Sequence, residues 1–341
     1  MSMKDRNSAA ESQTKGSGIE PTGHAILRNW PLSDLDRAII AHLQEDGRRP
    51  FITIARDLDV SERTVRNRVH QLLDTNVIQI VALTSPSALG YHAGALVGIK
   101  SDPAVPASEI AVELTAIPDV DYVVVTTGRF TLFAEIISRD ISTMQRVVER
   151  QIGKIAGVTA IEVFPYFSVF YQKAKFFARS DASPRNGAVR AKPLEDIDKA
   201  IAAELSHNGR APLKAVAEKV GISETQVRMR VNDMISSGQM NVMAIINPMN
   251  LDNKQIAWLG IRVNSETSPA DIAERISAIS HISYIAICAG RYDLFVEIVC
   301  PSRDDLFTAL NDSVRKIKGV VHIEPFLYID LHYKRLVPVA R

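Results

Sequence analysis

An internal repeat is the feature of this chain that most constrains how it can fold. The segment that starts at Leu32 returns at Leu194, and this offset of 162 residues continues almost to the C-terminus. Between residues 32–81 and 194–243, 17 of the 50 aligned positions are identical. Solenoid repeats have periods of about 20–50 residues. The longer period here indicates a duplicated multi-domain unit, so function must be sought in the unit and then in the differences between its copies.

Composition limits the classes of protein that this chain can belong to. At about 150 residues per domain, 341 residues suggest two or three domains, and the duplication favours four small ones, two per copy. A hydrophobic fraction of 46% and a charged fraction of 23% are those of an ordinary soluble globular protein. The net charge is only +1, so any surface that binds nucleic acid must be local.

The two cysteines and the apolar runs point to a protein of the reducing cytoplasm. Cys288 and Cys300 lack metal-ligand spacing, and we expect both to be small buried side chains. No apolar run reaches the roughly 18 residues of a membrane span, and the N-terminal stretch has no signal-peptide core. We expect no metal site, no cofactor and no catalytic residues.

Composition and periodicity divide the chain into six segments. Residues 1–31 and 174–193 are poor in large apolar side chains, which predicts a disordered tail and a linker between the copies. Each copy has a front half, at 32–81 and 194–243, and a back half, at 90–173 and 252–335.

The front half of each copy is predicted to contain three short helices. Ser33 and Asp36 form a capping-box pattern ahead of an apolar periodicity, and Gly47 is predicted to end that helix. The other helices of the first copy are expected at about 51–58 and from Ser61 to Leu73, and those of the second at about 195–206, 213–220 and 224–236. Three helices with this turn are typical of a helix-turn-helix domain, with or without a wing.

The turn between the second and third helices differs between the copies. Gly221 occupies a position that often requires a positive φ, and its counterpart is Asp59. Because Asp is one of the few other residues that tolerates the left-handed region, we expect the same turn in both copies.

The back half of each copy is predicted to be a ferredoxin-like βαββαβ unit, which makes the fold class α+β. Pro165 in the last strand of the first copy predicts an edge position or a bulge. The predicted elements of the first copy are a strand at 95–99, a helix at 107–117, strands at 122–127 and 131–137, a helix at about 140–153 and a strand from 158 to about 169.

The third helix of the first copy carries the residues expected to contact DNA. Residues 48–70 contain six arginines against three acidic residues, a local excess of +3. Arginine commonly reads guanine bidentately and asparagine reads adenine, while the first hydroxyl and amides of a helix suit a phosphate. The candidate DNA-binding residues of this copy are Ser61, Arg63, Thr64, Arg66, Asn67 and Arg68.

The second copy is less well equipped to bind DNA. Arg66 and Arg68 recur as Arg228 and Arg230, but Thr225 replaces Arg63 and Met229 replaces Asn67. Its arginines could contact phosphates or pair with acidic neighbours. The candidates in this copy are Ser223, Gln226, Arg228 and Arg230.

These motifs together resemble the Lrp/AsnC family of bacterial and archaeal transcription factors. The resemblance rests on Leu-x-x-x-Asp-x-x-Ile from Leu32, Gly47-Arg48, Ser-x-x-x-Val-x-x-Arg-Val from Ser61, and Gly-Arg-Tyr-Asp-Leu at 290–294. It covers about 32–173 and again 194–335. It implies a regulator that binds double-stranded DNA, with back halves that sense amino acids, pair sheet to sheet and favour homo-oligomers. The two back halves would pair within one chain or by swapping.

The resemblance also places an effector site at the turn between the second and third strands of each back half. A glycine there lets backbone amides approach a carboxylate, and an arginine can hold one bidentately. Asp293 could receive an α-amino group, and Thr131 stands at that position in the first copy. Glu135 and Glu297 are candidate pairing partners for the arginines. The candidate ligand-binding residues are Gly128, Arg129, Gly290, Arg291, Tyr292 and Asp293.

Two other functions remain open from the sequence. Sirohaem decarboxylases resemble the same arrangement, but their chemistry would need titratable residues at the interface, and 119–137 and 282–299 contain no histidine. His281, His322 and His332 lie just outside and have no counterparts in the first copy. The third possibility is an amino-acid sensor that acts through protein partners.

Overall fold

The computed structural model describes residues 32–172, 193–246 and 254–333. The predicted tail at 1–31 lies outside these residues, as does the predicted linker at 174–193 except for its last residue. No helix in the described ranges is both long and apolar enough to cross a membrane.

The front half of the first copy has the three predicted helices followed by a strand. Ser33 caps the first helix in a capping box with Asp36, and Ser61 caps the third by accepting a hydrogen bond from the amide of Thr64. The elements are α1 (Asp34–Glu45), α2 (Phe51–Asp57), α3 (Glu62–Asp74) and β1 (Ile78–Thr84), and a 3₁₀ turn follows at Pro86–Leu89.

The back half of the first copy has the βαββαβ order that the sequence predicts. Its helices pack on one face of the sheet around a core of aliphatic side chains. Its elements are β2 (Ala93–Ser101), α4 (Ala107–Ala116), β3 (Val120–Thr126), β4 (Leu132–Ser138), α5 (Ile141–Arg150) and β5 (Val158–Gln172).

The second copy repeats both halves. Its elements are α6 (Asp196–His207), α7 (Leu213–Val220), α8 (Glu224–Ser236), β6 (Met240–Ile246), β7 (Gln255–Val263), α9 (Pro269–Ser277), β8 (Ile282–Cys288), β9 (Leu294–Cys300), α10 (Arg303–Thr308) and β10 (Val320–Tyr333). The turn before the third helix is alike in both copies, because Asp59 has φ +52° and Gly221 has φ +79°. This confirms the prediction that Asp59 adopts the left-handed region.

A two-stranded ribbon joins the two helix-turn-helix domains. β1 pairs antiparallel with β6, with Ile78 opposite Ile246 and Thr84 opposite Met240. The buried apolar side chains of both domains, among them Ile39 and Ile201, form one continuous core with this ribbon. The two domains are therefore held as one body, and the sequence analysis did not assign these strands.

Gly47 was predicted to end the first helix, but in the structure it lies in the following loop and allows that loop to contact the ribbon. The helix ends at Glu45, and a Cβ at Gly47 would lie 2.8 Å from the backbone nitrogen of Met243. A Cβ at Gly209 would lie 2.9 Å from the backbone of Val81. Both glycines are needed because their loops press directly against the ribbon.

The two back halves close into one eight-stranded barrel within the chain. The strand order is β10-β3-β4-β2-β5-β8-β9-β7, and β10 also pairs with β7. β5 pairs first with β2 of its own copy and then with β8 of the other, and β10 does the same with β7 and β3. Of the two arrangements left open by the sequence, the structure has pairing within the chain.

The barrel corrects the expectation that Pro165 lies at a sheet edge. Pro165 pairs with Ala95 at the point where β5 passes from one sheet to the other, and the register shifts between Tyr166 and Ser168. The alternative that the sequence offered, an irregularity in the strand, describes this position, because a proline cannot donate to the ladder.

An aromatic layer fills the space between the two sheets. Its rings meet mostly edge to face, as Phe133 and Phe326 do with ring centroids 4.9 Å apart. Cys288 lies in this layer and Cys300 in the aliphatic core of the second back half, so both are buried free thiols as predicted. The layer comprises Leu96, Tyr122, Val124, Phe130, Phe133, Phe164, Trp258, Cys288, Tyr292, Phe295 and Phe326.

Candidate nucleic-acid interface and ligand site

The outer face of α3 carries an exposed row of polar side chains. Val65 and Val69 are fully buried against the domain core, which directs the opposite face of the helix to solvent. Arg63, Arg66 and Asn67 lie on that face and are exposed. In a helix-turn-helix domain this is the face that enters the major groove.

The two hydroxyls at the start of α3 are engaged with one another. Ser61 Oγ accepts from the amide of Thr64 at 3.0 Å and lies 2.8 Å from Thr64 Oγ1. Both side chains remain at the N-terminal end of the helix, where free amides and the helix dipole favour a phosphate. The sequence analysis assigned a phosphate contact to the first hydroxyl, that of Ser61, and this contact stays a prediction.

The arginines of α3 differ in how firmly they are held. Arg66 pairs with Glu62 one turn earlier, and such an exposed pair is easily exchanged for another anion. Arg68 instead reaches back to α1, where its Nε lies 3.3 Å from the buried carboxylate of Asp36. Arg68 therefore joins α3 to α1 and is left out of the proposed DNA contacts.

In the corresponding helix of the second copy, α8, most of the candidate DNA-binding side chains are already bonded to other residues. Gln226 is occupied in the capping box, where its Oε1 accepts from both the amide and the hydroxyl of Ser223 at 3.0 Å. Arg230 pairs with Asp198 at 2.9 Å, and Arg228 pairs with Glu224 at 2.6 Å. Only Arg228 among these four candidates presents an exposed charged group.

Two arginines connect the helix-turn-helix domains across the ribbon, and the sequence analysis did not identify this role. Arg48 donates to the carbonyl oxygens of Gly209 at 2.6 Å and Ala211 at 3.1 Å. Arg210 donates to the carbonyl oxygen of Gly47 at 2.8 Å. The recurrence of Gly-Arg in both copies was the sequence signal for these residues. It could not show their role, because each arginine finds its hydrogen-bond partner in the other copy.

The two Gly-Arg turns of the barrel lie where one copy meets the other. Gly128 and Gly290 have φ of +98° and +119°, a conformation that favours glycine. Arg129 Nε lies 3.3 Å from Glu324 Oε1, and Arg291 Nε lies 2.9 Å from Glu162 Oε1. Each arginine thus contacts the long strand of the other copy. Glu162 and Glu324 occupy equivalent positions in the two copies. This recurrence was the sequence signal that could have pointed to them as partners of the two arginines.

Tyr292 and Asp293 support the second turn from within the protein. The ring of Tyr292 is buried in the aromatic layer, and its hydroxyl donates to Glu324. Asp293 accepts from the amide of Val263 at 2.8 Å and lies 3.7 Å from Arg262 Nε. The carboxylate of Asp293 already has these partners, so an α-amino group would have to share it.

Glu135 and Glu297 do not pair with the turn arginines, so that expectation was wrong. Glu135 Oε1 accepts hydrogen bonds from the hydroxyls of Tyr166 and Tyr284, both at 2.9 Å. Glu297 accepts from Tyr328 at 2.6 Å in the corresponding arrangement. Burial raises the pKa of Glu135 despite these two donors. Each carboxyl group joins tyrosines from both copies inside the barrel.

Within the described ranges, no three His, Cys, Asp or Glu side chains are grouped so that they could hold a metal ion.

Comparison with known proteins identifies both halves of each copy. The model of the AsnC-type helix-turn-helix domain matches residues 32–73 and 194–235. The model of the Lrp/AsnC ligand binding domain matches residues 94–175 and 256–335.

Two relatives illustrate matches that span the length of one copy. A protein of Pyrococcus abyssi described as an HTH-type transcriptional regulator is 35% identical over 139 residues, which are 40% of this chain and 87% of that protein. The regulatory protein AsnC of Escherichia coli is 26% identical over 137 residues, 40% of this chain and 90% of AsnC.

A solved structure matches the two copies together. The sirohaem decarboxylase NirDL superposes with a TM-score of 0.61 over 90% of this chain and 94% of its own, at 16% identity. At this identity the likeness shows the fold alone. The family models and the curated relatives agree with the geometry of α3: the chain belongs to the Lrp/AsnC family of DNA-binding transcriptional regulators, and it carries the family's two-domain unit twice.

Proposed function

We propose that this chain is a sequence-specific regulator in which the first copy supplies most of the contacts to double-stranded DNA. The observation that carries the proposal is the exposed row Arg63, Arg66 and Asn67 on α3. The matching row on α8 holds Thr225, Arg228 and Met229, and the Met229 side chain is 57% exposed. A methionine and a threonine cannot replace a guanidinium and an amide as readers of base edges.

The closed barrel and the ribbon fix both helix-turn-helix domains within one chain. A single polypeptide therefore presents the pair of DNA-reading helices that regulators commonly obtain from two subunits. With the two helices unequal, the operator of one chain should have one strong and one weak half-site. Further association of chains into a homo-oligomer would repeat this unit along the DNA.

The second part of the proposal is that a small carboxylate, in the first instance an amino acid, binds at the Gly-Arg turns. Arg291 and Glu162 form an exposed pair, and exposed pairs contribute little to stability because water and salt screen them. A ligand carboxylate can therefore take the place of Glu162 at little cost. At the other turn Glu324 also accepts from Tyr292, so Arg129 should exchange its partner less readily.

The DNA part is tested by titrating the full chain into a fluorescent duplex from its own promoter region at fixed salt. We expect Arg63→Ala to weaken binding about tenfold, since one base contact contributes about 1–3 kcal/mol. Thr225→Ala, the same position in the second copy, is the matched control and should change little. Arg66→Ala should likewise weaken binding more than Arg228→Ala. Equal losses in the two copies would contradict the asymmetry.

The effector part is tested by a thermal-shift screen of the amino acids, since a ligand that binds the native state stabilises it by mass action. Arg291→Ala should remove the shift produced by a positive ligand, and Arg129→Ala should reduce it less. A shift that survives both substitutions would place the effector elsewhere.

Decarboxylation of a tetrapyrrole is not part of the proposal. The buried carboxyl groups between the sheets already accept hydrogen bonds from tyrosines, as Glu135 does from Tyr166 and Tyr284. Of the three histidines near the interface, His281 and His322 are partly exposed or exposed. His332 is buried on β10 opposite Val123, and its Nε2 lies 3.0 Å from the carboxylate of Asp330. A purified chain with a tetrapyrrole absorption band would overturn this part of the proposal.

A further inference from the structure

Four arginines follow one another across the junction between the two helix-turn-helix domains. Arg66 of α3 and Arg210 lie over the same ring, that of Phe51, with Cζ at 5.5 Å and 4.2 Å from its centroid. Arg48 comes next, since it donates to the backbone of the loop that carries Arg210 and receives the reciprocal contact. Arg48 and Arg228 of α8 then line the same groove. We call these four residues the arginine row.

The arginine row begins and ends on the two helices that carry the candidate DNA-binding residues. Arg66 on α3 and Arg228 on α8 occupy equivalent positions in the two copies, and both are exposed. Arg48 and Arg210, which stand between them, are partly exposed. The row therefore extends the exposed face of α3 across the junction to the corresponding face of α8.

The charges of the two inner arginines are not compensated within the protein. In the part of the chain that the structure describes, Arg48 and Arg210 donate to carbonyl oxygens and neither forms an ion pair. Burial lowers the pKa of both, and neighbouring guanidinium groups add to this: Arg228 acts on Arg48, while Arg48 and Arg66 act on Arg210. Because a carbonyl oxygen needs a donor but not a net charge, the contacts between the loops do not account for the two cations.

The acidic side chains near the row do not neutralise its middle. Glu62 and Glu224 pair with the arginines at the two ends, in exposed pairs that another anion can replace. Asp46 accepts from the backbone amide of Arg48 at 2.8 Å and forms no ion pair with its guanidinium. Lys214 lines the groove beside Arg48 and adds a further cation. An extended anion that passes along the row would offset the charge at every step.

We propose that the arginine row binds the phosphodiester backbone of the DNA segment between the two half-sites. This inference rests on the proposed function, because it takes α3 and α8 as helices that face DNA. Arg66 and Arg228 contact the phosphates next to each half-site, and Arg48 and Arg210 contact those between. The carbonyl contacts leave further N–H groups on each inner guanidinium, and a guanidinium matches a phosphate with two parallel hydrogen bonds.

The row gives the second copy a part in DNA binding that α8 does not provide through base contacts. A phosphate contact carries no sequence information, so the row should strengthen binding to every duplex by the same factor. The side chains of Arg63 and Asn67 should instead strengthen binding to the operator alone. Affinity and sequence preference are thus assigned to different residues of the same surface and can be measured separately.

The test measures the affinity of the full chain for two fluorescent duplexes over a series of KCl concentrations. One duplex comes from the chain's own promoter region, and the other has the same length and composition in scrambled order. Arg48→Gln and Arg210→Gln remove the charge and keep an amide that can donate to the carbonyl oxygens. We expect the slope of log affinity against log salt to decrease by about 1 in each variant and by about 2 in the double variant, on both duplexes.

Two further variants separate the phosphate contact from the structural contact. Arg48→Lys keeps the charge but cannot reach both carbonyl oxygens, so it should keep the salt slope of the wild type and lose stability in urea. Arg150→Gln removes an exposed charge from α5 of the barrel and should leave the slope unchanged. Far-UV circular dichroism confirms that each variant is folded, and Arg210→Gln keeps the test decisive if Arg48→Gln does not fold.

Three results would overturn the proposal. An unchanged salt slope in both glutamine variants would assign the inner arginines to structure alone, and a loss confined to the promoter duplex would assign them to base reading. Pyrophosphate that binds the protein alone, and no longer binds the double variant, would make the occupant a free phosphate ligand instead of DNA.

Failure of the proposed function has a different signature. If α3 does not read bases, the wild-type chain binds both duplexes equally and Arg63→Ala changes neither affinity. The salt slopes of the glutamine variants would still decrease in that case, so the two failures are distinguishable.

Discussion

Arg48 and Arg210 make reciprocal hydrogen bonds across the pseudo-twofold axis that relates the two helix-turn-helix domains. The guanidinium of Arg48 donates to the carbonyl oxygen of Gly209, and that of Arg210 donates to the carbonyl oxygen of Gly47. Each arginine thus binds the loop that precedes the other one. Because Gly47 and Gly209 also press against the ribbon, the reciprocal contacts hold the two helix-turn-helix domains against each other and against the ribbon.

Removing either arginine should loosen this junction. We expect Arg48→Ala to lower the free energy of unfolding by about 1–3 kcal/mol, because two carbonyl oxygens lose a charged donor. Arg210→Ala should cost more, since it also removes the cation–π contact with Phe51. Urea unfolding measures both. Arg56→Ala is the control, since its side chain is 78% exposed, and an equal loss there would show that the junction contributes nothing.

The turn before α3 offers a stabilising substitution. Asp59 has φ +52°, and an L-residue in this region costs about 1–2 kcal/mol, partly offset by the entropy of an unfolded glycine. Asp59→Gly should therefore raise the free energy of unfolding by about 0.5–1 kcal/mol. The reciprocal change Gly221→Asp should lower it by a similar amount, since a Cβ at Gly221 meets no atom within 4 Å. Thermal unfolding of the two variants should show shifts of opposite sign.

The elements that the sequence predicted are those whose signals are local. Ser33 and Ser61 predict the starts of α1 and α3, and both side chains cap these helices as expected. The strands β1 and β6 were not predicted, because each finds its partner only in the other copy, more than 150 residues away. For Pro165 the sequence left an edge position and a bulge open, because the closure of the barrel depends on pairing between the copies, which no short window of sequence reveals.

The same limit applies to the candidate sites. The residue types at Arg63, Arg66 and Asn67 could be assigned to the exposed face of α3 from helical periodicity alone. The roles of Arg68 and Arg230 could not, since their carboxylate partners lie on another helix. Glu135 was a candidate partner of the arginines because it recurs as Glu297 near the end of the third strand, whereas its partners in the fold are two tyrosines from different copies.

Because α8 lacks two of the polar side chains of α3, substitutions that introduce them should raise the affinity for DNA. Thr225→Arg combined with Met229→Asn gives α8 the residues that α3 has at these positions. We expect the double variant to bind the promoter duplex about tenfold more tightly if it gains one new contact of about 1–3 kcal/mol. Thr225→Lys with Met229→Ala adds the charge without the bidentate groups and serves as the control. Equal gains in both variants would indicate contact with phosphates only.

The thiol of Cys288 should report opening of the barrel. Burial raises its pKa to about 12, and its Sγ lies 3.3 Å from the carbonyl oxygen of Tyr292. At pH 8 only about one thiol in ten thousand is ionised in the folded state. With Cys300→Ala removing the other thiol, we expect negligible reaction with Ellman's reagent in buffer and rapid reaction in urea. Reaction of the folded chain at the rate of a free cysteine would contradict the buried position.

Glu135 should make the folded state less stable as the pH rises, the opposite of the effect of a carboxyl group whose pKa is lowered on folding. Burial raises its folded-state pKa above the ordinary value of 4.5, so the folded state favours the protonated form. The free energy of unfolding should therefore fall as the pH rises from the ordinary pKa to the raised one, and this contribution should level off above both.

Glu135→Gln isolates this effect, because glutamine keeps an oxygen that can accept from Tyr166 and Tyr284 but does not ionise. The stability of the variant relative to the wild type should increase with pH over the same interval. Glu113→Gln, at an exposed position of α4, is the matched control and should show no such increase. Urea unfolding of the three proteins between pH 4 and pH 8, roughly the range in which carboxyl groups with raised pKa values titrate, measures the difference. A relative stability of Glu135→Gln that is flat or falls with pH would show that the carboxyl is held charged by its two tyrosines.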